Sequence, residues 1–177
     1  MPTVVVTRPQ TQVPQSGCCS CLHTAFLSER VGVCKLAEVF LGLLCLGLIL
    51  YYCTRDRFGV AEYQGFKGSL SETYFFLVTF SCLHGTATLL ISYVISLSTA
   101  TVLPKTTTEL IYHGFASVFY LTSSLALMIT IIQRNSKLVL YRERGYAGLI
   151  TASVFGLINT GLYVTSFMYS YIMFKGT

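Results

Sequence analysis

The residues VCKLAEVFLGLLCLGLILYY, numbered 33–52, form an apolar run that carries only two charged side chains, Lys35 and Glu38. A membrane-spanning helix needs roughly 20 predominantly apolar residues to cross the hydrocarbon core. Because water is absent there, the backbone must hydrogen-bond within the segment, which favours a helix. The stretch therefore predicts a transmembrane helix and places the chain among integral membrane proteins.

Three further apolar segments of similar length follow. They occupy residues 73–97, 109–132 and 146–174, and the links between them are short. Short links favour antiparallel neighbours. We therefore predict an all-α membrane protein, an antiparallel four-helix transmembrane bundle. In this interpretation residues 1–29 form a flexible N-terminal tail and residues 30–177 form the transmembrane domain.

The composition supports this class and argues against others. Only 11% of the 177 residues are charged, whereas soluble domains carry about a quarter. The net charge of +5 is divided among short loops. No stretch is basic enough to indicate nucleic-acid binding.

Ionisable residues inside the predicted spans are costly and mark candidate functional positions. Lys35 and Glu38 lie near the start of the first span, and Glu109 and His113 lie near the start of the third. The first and third helices run in the same direction, so all four residues lie toward one leaflet. We predict a buried Lys35–Glu109 or Glu38–His113 pair, acting as a structural clamp or as part of a proton or ion path.

His84 and Asn159 lie near the middle of the second and fourth spans. These two helices are also parallel to each other, which predicts a hydrogen bond between the side chains, worth about 1 kcal/mol. Each of these spans offers one clear polar residue at mid-depth. A water-filled pore, which needs polar residues along a whole stripe, is therefore not favoured.

Small residues recur every four positions on one face of the second span and on one face of the fourth. They are Thr88, Ser92 and Ser96 in the second, and Gly148, Ala152, Gly156 and Thr160 in the fourth. Such faces let helix backbones approach closely. They predict either packing inside the bundle or lateral association with another membrane protein. In the second case Gly156→Leu would remove a partner and leave the bundle folded.

Three cysteines, Cys18, Cys19 and Cys21, precede the first span. Cysteines beside a span on the cytoplasmic side are candidates for S-acylation. A zinc site is the rival interpretation, since Cys18, Cys21 and His23 are zinc-ligand types, but a fourth ligand at motif spacing is missing. Inert thiols are a third interpretation.

Signatures of enzymes are absent from the sequence. Three histidines cannot form the clustered boxes of a membrane di-iron enzyme, and no serine or aspartate constellation stands out. We therefore expect no catalytic residue, no metal and no cofactor.

The stretch RVGVCKLAEVFLG, residues 30–42, resembles the first helix of MARVEL-domain proteins, most closely those of the CKLF-like and MAL groups. In that family a basic residue and then a Lys-x-x-Glu pair open a Leu- and Gly-rich helix. Here Lys35 and Glu38 match that pair. The resemblance covers about residues 30–177 and implies a four-helix membrane domain in vesicle, plasma or junctional membranes.

The orientation in the membrane follows from the resemblance and not from charge. Lys and Arg are slightly more numerous in the loops opposite the termini, which weakly favours termini outside the cytoplasm. The resemblance implies that both termini lie in the cytoplasm, and we adopt that orientation.

Three functions are consistent with these features. The first is organisation of membrane domains or of vesicle and cargo traffic. The second is an accessory subunit or chaperone that stabilises a partner membrane protein, such as a receptor, channel or junction component. The third is a small channel or a proton pathway through Glu38, His84 and His113. The expected partners are membrane lipids and other integral membrane proteins, not nucleic acid, and a homo-oligomer is compatible with the sequence.

Overall fold

The computed structural model describes residues 30–54, 65–96, 99, 102–136 and 145–176. Its long helices are α1 (Arg30–Thr54), α2 (Leu70–Ile95), α3 (Thr107–Ser136) and α4 (Tyr146–Lys175), and a short 3₁₀ helix, Leu103–Lys105, lies between α2 and α3 in the chain. All four are long and apolar enough to cross a membrane. The prediction of an all-α bundle with four spans is confirmed.

The start of α2 differs from the sequence-based boundary. The helix begins at Leu70 rather than at residue 73. The reason is that the Glu72 carboxylate accepts a 2.6 Å hydrogen bond from the backbone amide of Ser69. A glutamate at this position stabilises the first helical turn. The sequence-based span therefore left Glu72 outside the helix, whereas it lies in the first turn of α2.

The helices form a ring in which each packs against the next and α4 returns to α1. Glu72 at the start of α2 bonds Arg134 at the end of α3, with Oε1 and Nη2 2.9 Å apart. Glu38 near the start of α1 bonds Ser166 near the end of α4. Neighbouring helices are therefore antiparallel, and α1 and α3 face each other across the diagonal of the ring.

Large apolar side chains cover the outside of the ring. Phe40, Phe80 and Phe115 are 62, 54 and 61% exposed. Such exposure is favourable when lipid chains surround the bundle. Because lipid is as apolar as these side chains, hydrophobic burial does not hold the helices together. Close packing and buried polar contacts between helices do so instead.

The small residues of α4 lie on the interior side of that helix. All four of them, Gly148, Ala152, Gly156 and Thr160, are buried. A Cβ atom on Gly148 would lie 1.8 Å from the Tyr52 ring of α1. A Cβ atom on Gly156 would lie 2.2 Å from Ser124 Oγ of α3. This face therefore packs against α1 and α3 inside the bundle.

The two halves of the interior differ in character. The half nearer the end of α1 holds a buried apolar cluster, made of Cys45, Ile49, Cys53, Phe75, Leu127, Ile131, Leu149 and Ala152. The Glu72–Arg134 pair lies at that end of the bundle. The other half, nearer the start of α1, contains buried charged side chains, and these form the candidate site.

Candidate functional site

Lys35 of α1 lies at the centre of the charged half. Its Nζ atom is 2.6 Å from Glu109 Oε1 and 2.8 Å from His113 Nε2, both on α3. The Lys35 and Glu109 side chains are 0% and 1% exposed. The first of the two predicted pairings is the one that the structure contains, and it joins the diagonal helices α1 and α3.

Glu109 is the acceptor for several donors at once. Glu109 Oε1 accepts a hydrogen bond from Lys35 Nζ, and His113 Nε2 lies 3.3 Å from the same oxygen. Oε2 accepts a hydrogen bond from the Tyr93 hydroxyl of α2. The Tyr93 ring also lies 5.4 Å from Lys35 Nζ, within cation–π range. Three helices are therefore tied together by one carboxylate.

Glu38 has a different partner from the one predicted. Ser166 Oγ of α4 donates to its Oε1 at 2.5 Å, and the alternative Glu38–His113 pair is not formed. Glu38 Oε2 and His113 Nδ1 are both buried without a hydrogen-bond partner in the described part of the chain. The difference arises because Lys35 lies beside His113 and its Nζ atom is within hydrogen-bonding distance of His113 Nε2.

A layer of tyrosines separates the charged groups from the middle of the bundle. Thr86 Oγ1 lies 2.7 Å from the Tyr163 hydroxyl and 2.9 Å from that of Tyr112. Tyr112 donates to the backbone oxygen of Cys82 at 2.7 Å. The layer ties α2 to α3 and α4 next to the His113 ring, whose centroid is 5.9 Å from that of Tyr163.

Asn159 occupies the middle of the bundle. Its Nδ2 donates to the backbone oxygen of Glu38 at 3.5 Å. The Tyr120 hydroxyl lies near Asn159 and Thr79, but outside hydrogen-bonding geometry. Within the described residues, Asn159 Oδ1 and the Tyr120 hydroxyl are buried and unpaired.

The comparisons with known proteins fit this architecture. The family model MARVEL, described as a membrane-associating domain, matches residues 26–169. The chain belongs to the MARVEL family. It is also 30% identical over 106 residues to "Protein singles bar" of Drosophila melanogaster. That match covers 60% of this chain and 56% of the relative, so it spans about half of the relative's length. No solved structure matches the chain.

The charged cluster lies inside the matched MARVEL domain, since its members fall between residues 26 and 169. The Lys-x-x-Glu pair of the first helix, Lys35 and Glu38, therefore has a definite geometry here. Its lysine points across the ring to α3, and its glutamate contacts α4. Two positions of one motif, three residues apart, thus connect α1 to two different helices.

His84 lies on the outside of this MARVEL domain. Its side chain is exposed and stacks on Phe80 of the same helix, with ring centroids 6.5 Å apart. The predicted hydrogen bond to Asn159 is therefore wrong, because Asn159 is buried on the inside. The proton pathway through Glu38, His84 and His113 is interrupted for the same reason.

The small polar residues of α2 share the outer face with His84. Thr88 Oγ1 donates to the backbone oxygen of His84 at 2.9 Å, and Ser92 Oγ donates to that of Thr88 at 2.8 Å. These hydroxyls are satisfied within their own helix. No described residue hydrogen-bonds the His84 ring. His84 therefore keeps its bonding capacity for a neighbour.

The lipidation candidates Cys18, Cys19 and Cys21 lie outside the described residues, as does His23. S-acylation and zinc binding both stay predictions. Within the described ranges, no group of three His, Cys, Asp or Glu side chains is placed to hold a metal ion.

Sequence reasoning missed Tyr93 and Ser166 as members of the cluster. For Tyr93 a signal existed, because Glu72, Thr79, Thr86 and Tyr93 are seven residues apart and all are buried. A seven-residue spacing keeps side chains on one helix face. For Ser166 a similar signal existed, because Ala152, Asn159 and Ser166 are seven residues apart and all are buried, but the spacing does not identify Glu38 as the partner.

Proposed function

We propose that this MARVEL protein is a non-enzymatic organiser of membrane domains or of vesicle and cargo traffic, acting through lateral contacts with other membrane proteins. The proposal places it in the plasma membrane or in vesicles, with both termini in the cytoplasm. The observation that carries it is the exposed imidazole of His84 on a surface otherwise suited to lipid.

A polar side chain at mid-depth on a lipid-facing surface is unfavourable unless a partner satisfies it. A hydrogen bond from a neighbouring helix relieves that cost, and bonds of this kind contribute about 1 kcal/mol in membranes. Phe80, which stacks on His84, adds an apolar surface one turn away. The outer face of α2 is thus suited to a helix that carries a polar side chain at mid-depth.

The second candidate function is an accessory subunit or chaperone of one particular membrane protein. The same His84 face supports it, and the two functions differ in stoichiometry. One partner recovered in equal amount from native membranes would favour the accessory subunit. A diffuse set of vesicle or junction proteins in small amounts would favour the organiser.

Replacing His84 with Leu is expected to reduce partner recovery roughly 5-fold, which corresponds to the loss of one interhelical hydrogen bond. The tagged full-length chain is purified from native membranes in mild detergent, and partners are quantified by mass spectrometry. Thr88→Val is the matched control, because the Thr88 hydroxyl is bonded within α2. An identical partner profile for His84→Leu and wild type would contradict the proposed contact.

The N-terminal cysteines give an independent test of membrane-domain residence. We expect that changing Cys18, Cys19 and Cys21 together to Ser removes S-acylation and shifts the protein away from its normal membrane. Acyl exchange on the purified chain and imaging of the tagged protein measure the two effects. Ser16→Ala with Ser20→Ala is the control in the same segment. Unchanged localisation of the triple variant would count against this part of the proposal.

A further inference from the structure

The buried charges of the cluster do not balance. Lys35 supplies one positive charge, whereas Glu38 and Glu109 would supply two negative charges if both were ionised. All three are at most 1% exposed. An uncompensated charge in a low-dielectric interior is very unfavourable. The folded bundle therefore requires one further positive charge in the cluster, or one fewer negative charge.

The hydrogen-bond geometry shows which carboxylate is ionised. Glu109 Oε1 lies 2.6 Å from Lys35 Nζ, and its Oε2 accepts from Tyr93. Both oxygens of Glu109 thus receive donors, as an ionised carboxylate requires. Glu38 receives one donor, Ser166, on Oε1, while its Oε2 is buried and unpaired.

His113 does not supply the missing positive charge. Lys35 Nζ, which can only donate, lies 2.8 Å from His113 Nε2. That nitrogen must therefore accept, so it carries no proton, and the imidazole is neutral with its proton on Nδ1. A protonated His113 would instead place its Nε2–H donor against the Lys35 Nζ donor.

Among the residues that the structure describes, no other helix brings a cation to Glu38. The titratable groups that face it are Cys34 and Lys35 of α1, Cys82 of α2, Glu109 and Tyr112 of α3, and Tyr163 of α4. Lys35 is the one cation among these described residues, and it is bonded to Glu109. Arg134 is bonded to Glu72 on the other half of the bundle.

We infer that Glu38 is a proton-binding site, which carries an exchangeable proton on Oε2 in the folded bundle while Oε1 accepts from Ser166. Release of the proton breaks the Oε2–H bond, passes the proton to water and leaves a second negative charge beside Glu109. The carboxylates then repel each other at the junction of α1, α3 and α4. The packing of α1 against α4 therefore depends on proton occupancy.

Infrared spectroscopy of the full-length chain in lipid nanodiscs tests this directly. At neutral pH the wild type is expected to show a protonated-carboxyl C=O band that shifts in deuterated buffer. The band should be missing from Glu38→Gln and retained in Glu72→Gln, whose glutamate is paired with Arg134. A wild type without the band, or a band that persists in Glu38→Gln, would overturn the inference.

Thermal unfolding gives a second readout. A stability contribution that requires a bound proton is present at low pH and is lost as pH rises. In the alkaline range the wild-type midpoint should fall by on the order of 3 °C per pH unit. Glu38→Gln should keep the low-pH midpoint without this decline, since a neutral amide imitates the protonated acid. A Glu38→Gln chain that is unstable at every pH would show that Glu38 is ionised and would refute the inference.

Discussion

Lys35→Met is expected to lower the free energy of unfolding of the bundle by about 3 kcal/mol. Removal of one partner of a buried ion pair leaves the other charge uncompensated, which costs about 3–5 kcal/mol. The charge left uncompensated is that of the Glu109 carboxylate, which is 1% exposed and whose Oε1 lies 2.6 Å from Lys35 Nζ in the wild type. Tyr93 still donates a hydrogen bond to Glu109, so the lower part of that range applies.

The measurement is reversible unfolding of the purified chain in mixed micelles, with increasing denaturing detergent. Lys175→Met is the matched control, because Lys175 is exposed in the last turn of α4 and should change stability by less than about 0.5 kcal/mol. In the double variant Lys35→Met with Glu109→Gln, the second change should restore part of the loss. Equal stability of Lys35→Met and Lys175→Met would show that the pair contributes nothing.

The Lys35–Glu109 contact was predictable because spacing and topology determine it together. Two spans that run in one direction bring residues near their starts to the same depth, and a lysine and a glutamate there have few other partners in lipid. His84 was misplaced because sequence gives depth in the membrane but not the direction in which a side chain points. The inward face of α2 is set by all of its buried residues together, several of which recur every seven positions.

Glu72 and Ser166 show two other limits. Hydropathy begins the second span at residue 73, so Glu72 was left outside it although its carboxylate stabilises the first turn of α2. Ser166 contacts Glu38 because α1 and α4 pack side by side in opposite directions. That register depends on the close approach of all four helices, which no local pattern in the chain encodes.

Gly156→Leu is expected to destabilise the bundle by about 3 kcal/mol, at the upper end of the range for overpacked interiors. A Cβ atom at this position would already lie 2.2 Å from Ser124 Oγ and 2.8 Å from the Phe75 ring. Ser124 and Phe75 are both 0% exposed, so neither side chain can move into open space. The leucine therefore forces α4 away from α3 and α2.

Gly161→Leu separates this packing effect from the intrinsic effect of a leucine in α4. Gly161 is exposed on the same helix, and a Cβ atom there would meet nothing within 4 Å. The change should leave unfolding in mixed micelles unaltered or slightly improved, since leucine is a better helix former than glycine. A folded Gly156→Leu chain as stable as Gly161→Leu, but lacking a partner that the wild type binds, would instead place an external interface on this face. Because the face is filled by α1, α2 and α3 in the folded chain, we expect loss of stability to precede any loss of partners.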